Sequence, residues 1–342
     1  MKEKKDLQEL SEVIQSANIN FLLGSGASTP FLPILGNIEQ ELNKATNESE
    51  REKQYKEYVK GVMLPNKLIV GNKLTADANY NKTKGSYENF FQALSEILIR
   101  RKTSILSKQI NIFTTNIDII IETVLENLRL EYNDGFSGRF NPVFNLANFK
   151  KTISQRSLHF DHISEIPVFN LVKIHGSLTW KNDKTGGKVV FSHTLDHFND
   201  DLGTKTGAAF NTEYKKILVV NPEESKHLES VLNIYYSELL RMYSSELEKE
   251  NALLLVMGFS MEDRHIREIT LRAAQSNPTL RIYIFCSKKS GDAMVKKMET
   301  LQHPNIQIHC TETEGEKYTL DYLTDNVLKK VIGEKIPDKD VE

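Results

Sequence analysis

Apolar residues in this chain come in short, nearly continuous runs, and polar or glycine-rich motifs follow several of them. The runs cover residues 18–23, 110–114, 171–174, 216–220, 252–257 and 280–285, with a shorter one at 306–309. Runs of four to seven residues with little alternation suit strands buried on both faces, and the intervening segments carry helical periodicity. The pattern predicts an α/β protein: a Rossmann-like, doubly wound, mainly parallel sheet of six to seven strands covered by helices on both sides. Leu7, Leu10, Val13 and Ile14 predict an amphipathic helix over residues 4–17 that leads into the first strand.

Two intervals break the strand–helix alternation. Residues 37–106 are mostly helical in pattern, with Tyr87, Phe90, Phe91, Leu94, Ile97 and Leu98 on one apolar face. Residues 65–85, rich in Asn, Lys and Gly, read as a loop within that segment. Residues 131–170 carry turn signals at Asn133-Asp134-Gly135 and Asn141-Pro142, and read as an ordered loop beside the sheet edge. The predicted organisation is a nucleotide-binding domain formed by 1–36 and 107–333, a helical insertion or lid at 37–106, and a tail at 334–342. The helical faces at 4–17 and 87–98 read first as packing onto the core, and second as candidate contact surfaces.

Composition narrows the classes. With 342 residues, 39% hydrophobic and 26% charged, the chain has ample material for a core and is ordinary for a globular protein. A net charge of −2 gives no signal for nucleic acid or anionic membranes. Arg100-Arg101-Lys102 reads as a solvated helix end. The two cysteines, Cys286 and Cys310, cannot build a disulfide framework or a four-cysteine zinc site. No run is long enough to span a bilayer and the charged MKEKKDLQEL start has no signal-peptide core, so the expected address is cytoplasmic.

Strands of a parallel sheet end at one edge, where open α/β folds bind nucleotides. Gly24-Ser25-Gly26-Ala27-Ser28 follows the first run, and its glycines would let backbone approach a pyrophosphate. It is equally a tight strand-to-helix turn, since Thr29 stands where a dinucleotide fingerprint has its third glycine. Thr114-Thr115-Asn116-Ile117-Asp118 is denser in polar groups than helix capping requires. His175 in Ile174-His175-Gly176-Ser177 is either a structural hydrogen-bonding residue or a general base, given the ordinary imidazole pKa of about 6.5. Gly258-Phe259-Ser260 could hold a phosphate or ribose, while Ser260 with Asp263 also reads as a capping box. Cys286-Ser287 would face the same edge. Asp196-His197 with Asp200-Asp201, and His159 with His162, lack metal-site spacing and read as exposed loop residues.

In this order the motifs resemble those of the Sir2 (sirtuin) family: Gly-Ala-Gly-x-Ser, Thr-Gln-Asn-x-Asp, His-Gly and Gly-Thr-Ser. The resemblance covers roughly residues 15–310. It implies that Gly24, Ser25, Gly26, Ala27 and Ser28 line the phosphates of NAD, and that Thr115 belongs to the site. Asn116 would contact the nicotinamide ribose, Asp118 the carboxamide, and His175 would be the base. Gly258, Phe259 and Ser260 would lie near the phosphates and adenosine ribose, with Cys286 or Ser287 near the adenosine.

Two departures redirect the implied reaction. The deacylases of the family carry a four-cysteine zinc module, which this chain cannot make, so no zinc is expected and a helical insertion stands instead. Their Pro-Asp-Phe-Arg stretch is replaced by Pro30-Phe31-Leu32-Pro33. The chain is similar in these respects to zinc-less bacterial Sir2-like anti-phage proteins, as are Val219-Val220-Asn221-Pro222-Glu223 and Gly258-Phe259-Ser260-Met261-Glu262-Asp263. That branch implies hydrolysis of NAD as substrate, a homo-oligomer, and a partner such as a HerA-type ring ATPase. The rival readings are a non-catalytic sensor of NAD or ADP-ribose, a deacylase, and a nuclease using Asp196, Asp200 and Asp201.

Overall fold

The computed structural model describes residues 2–34, 38, 41–42, 44–101, 106–159, 161–221, 230–313 and 315–333. The tail at 334–342, Pro222 and Glu223, Lys102, and parts of the 37–106 segment lie outside the described residues.

Seven strands form the central sheet: β1 (Asn18–Leu23), β2 (Gln109–Thr114), β3 (Tyr132–Asn133), β4 (Val168–Lys173), β5 (Ala252–Met257), β6 (Arg281–Cys286) and β7 (Ile306–Cys310). Their order is β7-β6-β5-β1-β2-β4-β3, with every pairing parallel. The doubly wound α/β expectation therefore holds. Side chains alternate between two cores, as the two-residue period of a strand demands. Phe21, Leu23, Leu253 and Leu255 enter one core with Phe90 and Phe91 of helix Ala78–Arg100. Leu22, Leu254 and Val256 enter the other with Tyr243 of helix Ser230–Leu247 and Ile266 of helix Arg264–Ser276.

A row of asparagines fixes the register of three central strands. Asn20, Asn111 and Asn170 are register partners on β1, β2 and β4. Asn111 Nδ2 donates to Asn20 Oδ1 at 2.8 Å, and Asn170 Nδ2 donates to Asn111 Oδ1 at 2.9 Å. A one-residue slip would break both bonds and leave buried amides unpaired, each costing about 1–3 kcal/mol.

Two elements differ from expectation. Residues 216–220, buried from Ile217 onward, add no strand to the sheet. Val219 makes an isolated antiparallel bridge to Gly176, and Val220 N donates to His175 O, so the segment lies over the loop after β4. The seventh position belongs to the two-residue β3 instead. Residues 65–85 are also largely helical, in Leu64–Val70 and the start of Ala78–Arg100. Asp77 caps the second of these by accepting from Tyr80 N at 2.8 Å, and Asn66, fully buried, donates to Val62 O. The 131–170 interval supplies β3 and short antiparallel strands, including the hairpin Ser154–Arg156 and Ile163–Glu165.

Arg101 is not a solvated helix end. It is buried, and its guanidinium donates to Ile14 O and Ala17 O at the end of helix Lys2–Ser16. No helix among the described residues is long and apolar enough to cross a membrane.

Candidate functional site

The chain leaves β1 toward β2 on one side and later returns to place β5 on the other. The carboxyl end of β1 is thus the topological switch point, where open α/β sheets form their ligand crevice. Four loops meet there: 24–28 after β1, 115–118 after β2, 175–178 after β4, and 258–263 after β5.

The loops after β1 and β5 touch backbone to backbone. Gly24 N donates to Met257 O at 3.0 Å, and Gly26 N donates to Gly258 O at 2.9 Å. A Cβ on Gly24 would lie 2.7 Å from Phe259 Cα, and one on Gly26 would lie 2.7 Å from Gly258 Cα. The glycines are required by this loop-to-loop contact, whatever else approaches them. Ser25–Ser28 form a short 3-10 turn that delivers Ser28, almost fully buried, beneath the edge.

Most of the polar groups in the loop after β2 have internal tasks. Thr114 Oγ1 donates to Leu23 O and accepts from Asn116 N, tying the loop to β1. Thr115 N donates to the same carbonyl at 3.3 Å. Asp118 Oδ1 accepts from Ile120 N, the first residue of helix Ile120–Asn127, from the position before the N-cap residue Ile119. Its Oδ2 accepts from Ser28 Oγ at 2.9 Å.

Asn116 differs. Its Nδ2 donates to Gly24 O at 3.0 Å and to Ser28 Oγ at 3.1 Å. Because Gly24 O can only accept, the amide orientation is fixed, and Oδ1 is the remaining polar atom. Oδ1 is buried and has no hydrogen-bond partner among the described residues. Such a group costs about 1–3 kcal/mol until a donor reaches it. Asn116, Ser25, Ser28 and Asp118 line a narrow cleft together with Leu32, Pro33 and Val62, with about 10 Å³ of free space, room for roughly one water.

The site has a charged floor that the sequence reading missed. Lys173, at the end of β4, donates to Asp118 O and pairs with Glu122 Oε1 at 2.7 Å, both side chains being almost wholly buried. Tyr87 OH lies 3.4 Å from Ser28 Oγ, and burial together with the Asp118 charge pushes its pKa up. The signals were a lysine ending a largely apolar strand and an acid within a largely apolar helix.

Burial pushes the Glu122 carboxyl up to about 7, although Lys173 pulls the other way. A carboxyl raised from its ordinary 4.5 contributes stability fully below about pH 4.5, and that contribution is lost as pH rises through 7. Glu122→Gln removes this slope. The stability difference, variant minus wild type, is expected to shift in favour of the variant between pH 5 and 8; denaturant melts showing a constant difference would refute this.

His175 Nε2 lies 3.0 Å from Asp263 Oδ2, with the two side chains 14% and 6% exposed. Its ring also sits 6.0 Å from that of Tyr236. Asp263 is itself the N-cap of helix Arg264–Ser276, through Oδ1. Ser260 is exposed and takes no part in that cap, so the capping-box expectation is corrected. Its carbonyl accepts from Lys297 Nζ. Phe259 packs against the second core.

Cys286 and Ser287 end β6 at the same edge, two strands from β1. Cys286 Sγ lies 3.5 Å from Cys310 Sγ, and burial pushes its thiol up to about 12, leaving it un-ionised at neutral pH. Ser287 Oγ is 3.0 Å from Ser290 Oγ. Asp196, Asp200 and Asp201 line one open surface cavity but pair there with different lysines, Lys181, Lys67 and Lys205. Among the described residues no group of three or more His, Cys, Asp or Glu could hold a metal ion.

An open parallel sheet with polar loops converging at its switch point is the arrangement at which α/β proteins bind nucleotides. The SIR2-like domain family model matches residues 110–309, more than half of the chain, and the chain belongs to that family. Enzymes of this family use NAD. The 24–28 loop precedes the matched stretch, so its membership of the site rests on the contacts above. A solved structure described as "Structural Basis for the Mechanism and Regulation of Sir2 Enzymes" aligns at 12% identity, covering 96% of this chain and 100% of that one, with a TM-score of 0.44. No curated protein matches the chain.

Proposed function

We infer that the protein hydrolyses NAD to nicotinamide and ADP-ribose. The observation carrying this reading is Asn116: an amide pinned by Gly24 and Ser28, with a buried carbonyl oxygen awaiting a donor in the switch-point cavity. A ribose hydroxyl or an attacking water is such a donor, so the residues fit the substrate.

Cleavage of the bond between ribose and nicotinamide develops positive charge on the sugar. Asn116 Oδ1 would accept a hydrogen bond from the ribose or the water and present a partial negative charge as that charge grows. Asp118, already fixed by Ser28 and Ile120, would keep acceptor capacity for the carboxamide. His175 would take the proton that the reaction releases. The 24–28 and 258–260 loops would hold the phosphates through backbone amides, with Cys286 and Ser287 toward the adenosine.

The absence of cysteines for the family's zinc module favours hydrolysis over deacylation. The resemblance to anti-phage Sir2-like proteins extends the proposal to an abortive-infection effector that forms a homo-oligomer and works with a HerA-type ring ATPase. The test is purified protein incubated with NAD, alone and with its neighbouring gene product, while free nicotinamide is followed. Stoichiometric binding with no nicotinamide released under either condition would indicate a sensor instead.

A further inference from the structure

We propose that Asp263 is a positioning residue for His175, its two carboxylate oxygens performing separate tasks. Oδ1 accepts from His265 N at 3.0 Å and Ile266 N at 3.3 Å, which locks the carboxylate to the first turn of helix Arg264–Ser276. Oδ2 meets His175 Nε2 at 3.0 Å. The carboxylate is therefore held by rigid backbone before it engages the ring.

The placement of this contact argues for a role in the site. His175 follows β4 and Asp263 follows β5, yet β1 and β2 lie between those strands. Three strand spacings amount to about 14 Å, so the two loops must arch toward each other over the carboxyl edge to touch. Tyr236 and Ile266, beside the pair, belong to the second core, whereas Tyr87 belongs to the first.

The chemistry follows from the donor inventory. An ionised carboxylate only accepts, so the proton in this contact is on Nε2 and the lone pair of the neutral ring is on Nδ1. When the ring takes a proton, the adjacent carboxylate stabilises the imidazolium. Tyr236, whose burial pushes its pKa up, stays a neutral hydroxyl beside the pair.

Capping alone would give Asp263 no such influence, and one substitution separates the tasks. Asn caps helices about as well as Asp. Asp263→Asn therefore keeps the cap while removing the carboxylate from Nε2; its amide group, turned to the ring, favours the opposite tautomer. Nitrogen-15 NMR of the full chain is expected to show His175 protonated on Nε2 in the wild type and on Nδ1 in D263N. The role of His175 rests on the NAD-hydrolysis reading, under which kcat should fall by about 10²-fold or more with KM within threefold and Tm within about 2 °C. An unchanged tautomer, or a changed tautomer with unchanged kcat in an active enzyme, overturns the proposal. If the wild type releases no nicotinamide but the tautomer still changes in D263N, Asp263 positions His175 and only the hydrolysis reading falls.

Discussion

Asn116→Ala is expected to lower nicotinamide release by about 10²–10³-fold, the usual effect of deleting one preorganised hydrogen-bonding group at a reacting centre. The loss should fall on kcat more than on KM, because the carbonyl oxygen matters most as charge develops on the ribose. The substitution also removes one of the two donors to Gly24 O, Ala27 N remaining, a loss of about 0.5–1.5 kcal/mol. Chain size makes that a modest fall in Tm, of the order of 2–4 °C per kcal/mol. Activity and stability therefore separate: a variant that still melts cooperatively within about 10 °C of the wild type yet has lost turnover supports the assignment. Wild-type turnover by the folded variant places the reacting centre elsewhere.

Much of this site was legible before the fold was known, and the reason is geometrical. Strands of a parallel sheet end at one edge, so motifs that follow apolar runs converge even when they lie far apart in sequence. That logic brought Gly24, Asn116, His175 and Gly258 together, and the structure places all four on the loops of the central four strands. It also misled. Residues 216–220 are as apolar as a strand, but their burial comes from lying over Gly176, not from pairing within the sheet. Periodicity cannot distinguish these fates, because both remove the same side chains from water. The two residues of β3 are too few to show any pattern. The helical turns in residues 65–85 depend on a cap at Asp77 and a buried amide at Asn66, in a stretch whose composition suggests a loop.

Partnerships across the edge were the part that could not be read. Asp263 was visible only as a helix-start residue; its second oxygen acquires meaning once the loops after β4 and β5 are seen to meet. The pair Lys173 and Glu122 needed the tertiary fold to show that a lysine from one strand reaches the loop of the next. What the glycines do also changed. They looked like an opening for phosphate, and the structure shows two loops pressed together without side chains between them.

That contact makes Gly258→Ala a damaging small substitution in the site. Gly258 has φ +63°, where an alanine is strained by about 1–2 kcal/mol. Its Cβ would also lie 2.7 Å from Gly26 C and closer still to Ala27 N, backbone atoms that cannot rotate away. Forcing the two loops apart would break the bond from Gly26 N to Gly258 O and drag Gly24, which holds Asn116, out of place. Strain and overpacking together should cost about 2–4 kcal/mol, with at least a tenfold loss of turnover. Gly186 supplies the control: it has φ +72° but nothing within 4 Å of its would-be Cβ. Gly186→Ala should therefore show the conformational cost alone, about 1–2 kcal/mol, with turnover intact. Equal melting temperatures and equal activity for the two variants would mean that the loops after β1 and β5 do not press on each other, and the route from Gly258 through Gly24 to Asn116 would be lost with that contact.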